Sequence, residues 1–140
     1  FLFMADHAEH LDPMVLPSLK DGAVVLSDRY ADSTAAYQGV TLQGILPHPV
    51  FWIQEVFRPW NAVPDMTLLF LLDPELALKR LGSRPGKEKF ERLEFLRSVD
   101  ENFRRMASAE PERFVLIDAA QDEGAVAQDA ARAVLDLLAR

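Results

Sequence analysis

Apolar positions along the chain alternate between a helical rhythm of three or four residues and short unbroken runs, and the switches place the elements. From Phe1 to Lys20 the residues Phe1, Met4, Ala8, Leu11, Val15 and Leu19 recur at helical spacing, with Pro13 and Pro17 set to kink or divide the helix. Asp21-Gly22 stops it, and Ala23 to Ser27 reads as a strand. A loop and short helix hold Ser33 to Tyr37, and a further helix covers Pro49 to Phe57 before Arg58-Pro59-Trp60 ends it.

Met66 to Leu72 is a second unbroken apolar run, closed by Asp73-Pro74, and it predicts a central strand buried on both faces. Pro74 opens a helix to Leu81, and a polar loop with Gly82, Pro85 and Gly86 as breakers runs to Lys89. Leu93, Leu96, Val99, Phe103 and Met106 share one helical face, Arg113 to Ile117 is a third strand, and Val126, Ala130, Val134 and Leu137 mark a closing helix. Helices between apolar strands predict an α/β fold with a parallel sheet and right-handed crossovers.

Composition narrows this picture. With 140 residues, 49% hydrophobic, the chain is sized for one domain that buries about two-thirds of its unfolded surface. A net charge of −7 argues against a surface that tracks nucleic-acid phosphates, while leaving room for local Arg and Lys clusters that bind nucleotides. The absence of Cys excludes disulfides, thiolate zinc sites and a Cys nucleophile, and fits a reducing compartment. No apolar run is long enough for a bilayer and no signal peptide is visible, so a cytoplasmic location without membrane or nucleic-acid partners is expected.

The chemistry concentrates after the first strand, at Asp28-Arg29-Tyr30 and the following Ser33, Thr34, Tyr37 and Gln38. A carboxylate beside a guanidinium at the end of a parallel strand can organise a metal-bound phosphate and clamp a second one. Alone, the pair reads equally as a turn cap with a neighbouring ion pair. The hydroxyls, phenol and amide within about one to two helical turns add groups that can bind a base edge and a sugar, more than a cap requires.

With these residues the sequence resembles the thymidylate kinase family of P-loop nucleoside-monophosphate kinases. The resembling segments are Leu2 to His10, Ser27-Asp28-Arg29-Tyr30 through Tyr37-Gln38-Gly39, Pro64 to Leu68 with Leu71-Leu72-Asp73, the loop running into Phe90-Glu91-Arg92, and Leu116-Ile117-Asp118-Ala119. The resemblance implies transfer of the ATP γ-phosphoryl group to dTMP with Mg2+, giving dTDP and ADP in dTTP biosynthesis, on a three-layer P-loop sheet flanked by helices, in a homodimer. It implies that Phe3 stacks on thymine, Thr34 and Gln38 face the base, Tyr37 lies against the deoxyribose and Arg29 holds the acceptor phosphate. Asp28 stands near magnesium and the transferring group, while Phe90 and Glu91 close over the nucleotide. Arg84, Lys87 and Lys89 bring catalytic charge on a lid over residues 82–89, and Arg80, Arg84, Ala119, Ala120 and Gln121 flank the adenine.

Read without the family, Phe3 is a core aromatic, Tyr37 a half-buried ring, and the 82–89 segment a solvated charged loop. His7, which the resemblance places among the dTMP contacts, departs from the pattern: it stands where many relatives carry an arginine directed at the base or the phosphate, so thymine binding is expected to be weaker, pH-sensitive or differently arranged. His7 and His10, three apart, also share a helix face and with Asp6 suggest a metal site, although two histidines without a clear third ligand are a weak one. Nothing matches the glycine-rich phosphate loop, so the sheet is expected to be incomplete at its N-terminal side and this polypeptide alone to have little kinase activity. The competing readings are a kinase of another nucleotide or deoxynucleoside, and a non-catalytic binding domain of the same fold.

Overall fold

A computed structural model describes residues 2–80 and 87–140, the side chains of 87–91 excepted. The chain is mixed α/β and divides into two compact units, residues 1–63 and 64–140.

The first unit is helical. Helix α1 (Leu2–His10) runs into a π-helical turn over Leu11–Val15 and then into α2 (Leu16–Lys20). The prolines mark a change of helix type: Pro13 lies inside the π turn and Pro17 in the first turn of α2, and the helical backbone continues between them, the Leu16 N–H reaching back to the Leu11 carbonyl. Leu11 and Val15 are the buried residues of this stretch. Gly22, at φ 81°, ends it in a left-handed conformation that a side chain would strain.

Helices α3 (Ala31–Thr41) and α4 (Pro49–Phe57) pack together. Ala35 and Ala36 are almost fully buried, and Gly39 with them. Their small side chains let Ile53 and Phe57, one turn apart on α4, come close. The connection turns back at Gly44, whose φ of 76° sets the direction of the apolar pair Ile45-Leu46.

The strand expected over Ala23 to Ser27 is not part of a ladder. These residues form an irregular segment with Val24 58% and Leu26 81% exposed. An apolar run becomes a strand only where a second strand satisfies its N–H and C=O groups, and among the described residues none pairs with it. Asp28 and Arg29 therefore sit in a bend that follows an unpaired segment, not at the end of a sheet strand.

The second unit holds a two-stranded parallel sheet. β1 (Thr67–Leu71) pairs with β2 (Phe114–Asp118) in the register Thr67↔Phe114 to Leu71↔Asp118. Such a pair needs a crossover, supplied by α5 (Pro74–Arg80) and α6 (Lys87–Ala109). The expectation that β1 is buried on both faces is corrected: Leu69 is buried while Phe70 is 49% exposed, as in a strand covered on one face. Leu78, Val99 and Met106 supply apolar core from the helices. Arg113 closes one end of the sheet, donating to Thr67 Oγ1 at 2.7 Å and to Glu110 Oε2 at 2.8 Å with its guanidinium over the Phe114 ring.

Helix α6 begins at Lys87 and not at Phe90, so the backbone of Lys87 to Lys89 is helical where a loop was predicted. Helix α7 (Glu123–Leu138) starts at Asp122, whose carboxylate accepts from the Ala125 N–H at 3.1 Å, an N-cap that fixes its first turn. Val126, Ala130, Val134 and Leu137 are half-buried along one face, whereas Leu135 and Leu138 are exposed.

Candidate functional site

The first unit contains a pocket of about 320 Å³, predominantly apolar. Phe3 and Met4 of α1 form one wall, and Thr34 and Gln38 of α3 contribute polar groups. Those two residues are one helical turn apart, so both side chains leave α3 on the same side. The floor comes from Leu42, Ile45 and Leu46 in the α3–α4 turn and from Trp52 and Ile53 of α4. An apolar cavity lined by the Phe3 and Trp52 rings, with two hydrogen-bonding side chains, suits a small planar heterocycle.

Three of the residues assigned to a base, Phe3, Thr34 and Gln38, thus meet in one cavity. Phe3 is 64% exposed and is a pocket wall, not a core aromatic. The Gln38 side-chain oxygen accepts from Thr41 Oγ1 at 3.2 Å, which orients the amide. Next to Gln38, the half-buried Tyr37 ring carries the Arg29 guanidinium at 4.4 Å from its centroid. Arg29 has a left-handed φ of 71°, and its carbonyl accepts from Ser27 Oγ at 2.8 Å. A bulky residue in that region costs about 1–2 kcal/mol, and here the bend lays the side chain across Tyr37.

His7 has other partners. Its Nε2 lies 2.9 Å from Asn61 Oδ1, and its ring centroid is 4.3 Å from Tyr30, 5.2 Å from Phe57 and 5.6 Å from Trp60. The Tyr30 hydroxyl donates to the Ala62 carbonyl at 2.9 Å. Burial raises the Tyr30 phenol above its ordinary value, and the Asp32 carboxylate adds to the shift. His10 Nε2 is 3.0 Å from Met14 Sδ. Among the described residues no three His, Cys, Asp or Glu side chains gather as a metal site, so Asp6, His7 and His10 do not make one.

In the second unit, the residues expected around adenine are neighbours. Arg80 donates to the Ala119 carbonyl at 2.9 Å and to the Ala120 carbonyl at 3.2 Å. Gln121 donates to the Asp118 carbonyl and to Asp129 Oδ2, each at 3.1 Å. The 118–121 turn is thereby held between the end of β2, α5 and α7. Arg84 and the side chains of Lys87, Lys89, Phe90 and Glu91 lie outside the described residues. Asp28 is exposed.

The pocket floor and the Asn61 contacts had no signal in the sequence reading. Ile45, Leu46, Trp52 and Ile53 carry only the apolar spacing common to any core, and Asn61 stands alone between helix and strand.

Fold and site together define a mixed α/β protein that has a parallel strand pair with a helical crossover and, in its helical unit, a ring-lined pocket. The family model described as thymidylate kinase matches residues 1–130. A protein of Methanosarcina acetivorans named "Probable thymidylate kinase" is 49% identical over 140 residues, all of this chain and 68% of the relative. Relatives of the same name from Methanococcoides burtonii and Natronomonas pharaonis are 44% and 46% identical, over 98% and 100% of this chain and 68% and 70% of their own lengths. The chain belongs to the thymidylate kinase family.

Proposed function

We propose that the protein is a dTMP kinase, which transfers the γ-phosphoryl group of ATP directly to dTMP, and that the pocket of the first unit receives the thymine base. The observation that carries this reading is the convergence of Phe3, Thr34 and Gln38 on one cavity, with Arg29 stacked on the adjoining Tyr37. Phe3 stacks on the base while Thr34 and Gln38 bond its edge. Tyr37 lies against the sugar, and Arg29 leaves the Tyr37 face to hold the acceptor phosphate through its planar fork.

Phosphoryl transfer depends mainly on positioning and on positive charge around the moving group. Arg29 supplies the charge on the acceptor side, and Arg84, Lys87 and Lys89 supply it on the lid side. Arg80 with Ala119, Ala120 and Gln121 offers a guanidinium and backbone groups to adenine. The exposed carboxylate of Asp28 suits an ion that keeps most of its ligands as water and phosphate oxygen. Magnesium bound with ATP neutralises phosphate charge, and Asp28 is the residue that would hold it, through water.

The parallel β1–β2 pair with its helical crossover supports a three-layer P-loop-type sheet for the whole protein. Among the described residues no helix is long and apolar enough to cross a membrane. On the strength of the family, we assign the enzyme to the cytoplasm. The exposed Leu2, Met14, Leu16 and Leu19 support a homodimer formed through the first helices.

The test is titration calorimetry of the chain with dTMP, dUMP, dCMP and thymidine, together with dTMP-dependent ADP formation by the protein extended to the length of its relatives. The tightest binding is expected for dTMP. A weaker response to dTMP than to the other ligands would reject the substrate, and a folded, extended protein that makes no dTMP-dependent ADP would favour a non-catalytic binding domain.

A further inference from the structure

Two segments of the candidate base and phosphate site are held by a stretch that contributes nothing to the pocket itself, Asn61-Ala62. Asn61 takes the His7 ring at 2.9 Å and Ala62 takes the Tyr30 hydroxyl at 2.9 Å. An amide oxygen opposite a ring nitrogen requires the proton on Nε2, so His7 is the donor. The rings of Tyr30, Phe57 and Trp60 surround that imidazole. With one nitrogen bonded and three rings against it, His7 is committed to neighbours within the protein.

The consequence lies one turn away. Helix α1 has no buried residue of its own, so its seat depends on Leu11 and Val15 in the following turn and on contacts such as the one to Asn61. Phe3 precedes His7 by four residues, placing both on the same face of α1. An exposed aromatic ring on such a helix binds a base well only if its position is set before the ligand arrives. Tyr30, the other side chain on this stretch, is the immediate neighbour of Arg29.

Resting on the reading of the pocket as the dTMP site, we propose that Asn61 is a positioning residue for the acceptor nucleotide. Through His7 it sets α1 and hence Phe3, and the adjoining Ala62 carbonyl sets Tyr30 and hence the bend that carries Arg29. His7 acts within this strut and does not itself contact the base.

The test is a double-mutant cycle on dTMP binding, measured by calorimetry with the melting temperature of each variant. His7→Phe keeps a ring among Tyr30, Phe57 and Trp60 but removes the donor, and Asn61→Leu removes the acceptor at similar volume. Loss of one such hydrogen bond is expected to weaken dTMP binding by about three- to tenfold. The two single variants should lose the same amount, and the double variant should lose little more.

A loss confined to His7→Phe would mean that His7 touches the nucleotide directly, and would overturn the proposal. So would melting temperatures that fall while dTMP affinity holds, because the pair would then serve only stability. Should Asn61→Leu not fold, His7→Phe with unchanged affinity for dTMP is still sufficient to reject it. A wild-type chain that binds no dTMP removes the functional reading itself, a result distinct from all of these.

Discussion

Replacing Arg29 by alanine isolates the phosphate arm of the proposed acceptor site. In the free protein the guanidinium rests 4.4 Å from the Tyr37 ring centroid, an arrangement at an exposed position that contributes about 0.5–1 kcal/mol. On binding, it is expected to exchange this contact for charge-assisted hydrogen bonds to phosphate, which contribute about 1.5–3 kcal/mol. Net of the ring contact given up, about 0.5–2.5 kcal/mol is lost, so Arg29→Ala should raise the dissociation constant for dTMP about two- to seventyfold. Thymidine, which carries no phosphate, should bind nearly as before.

The backbone offers an internal control. Arg29 has φ 71°, and alanine inherits that strained conformation whereas glycine does not. Arg29→Gly should accordingly be more stable than Arg29→Ala by roughly 1 kcal/mol, with the same loss of dTMP affinity. Calorimetry with both ligands and urea denaturation of both variants provide the measurements. Equal weakening of dTMP and thymidine, or wild-type dTMP affinity in Arg29→Ala, would refute a phosphate role.

Four further outcomes are expected. Phe3→Ala should weaken dTMP and thymidine alike, by about 1–3 kcal/mol of base stacking, with stability little changed because Phe3 is 64% exposed; calorimetry and melting curves test both parts. Ile53→Ala should cost about 2–5 kcal/mol in urea denaturation, since Ile53 is 1% exposed in the α3–α4 core. Asp122→Ala should cost about 1 kcal/mol through the lost cap of α7, read from the same experiment. Tyr30 governs an alkaline limit: its folded phenol holds a proton above the ordinary value of 10.0. Its contribution to stability is thus complete below that value and is lost as pH rises through the folded one. Tyr30→Phe should flatten that part of the decline in urea titrations run across the alkaline range, and an unchanged slope would contradict it.

Much of the architecture was legible as periodicity. Leu93, Leu96, Val99, Phe103 and Met106 announced α6 because a helix must turn one face to a core, and the structure buries Val99 and Met106. Met66 to Leu72 announced β1, and Pro13 and Pro17 marked the change of helix type after α1. Ala23 to Ser27 carried an equally good strand pattern and is not in the sheet. Pattern reports which residues would benefit from burial, whereas a ladder also requires a partner, and none pairs with this run among the described residues. The start of α6 at Lys87 was missed because its first turn is charged and gives no apolar rhythm.

The candidate site divides in the same way. Residue types and spacing on α3 were enough to bring Thr34 and Gln38 to one side, since helical geometry fixes neighbours four apart. The sequence by itself also determined the family, because the motifs lie in order along most of the chain. Only the tertiary structure decided that Phe3 joins them as a wall, that Leu42, Ile45 and Leu46 make the floor, and that Arg29 lies across Tyr37. It also set His7 against Asn61, 54 residues later. Contacts between residues close in sequence follow from local backbone geometry; those between distant ones follow from how helices pack, and that depends on the shapes of all the side chains at once.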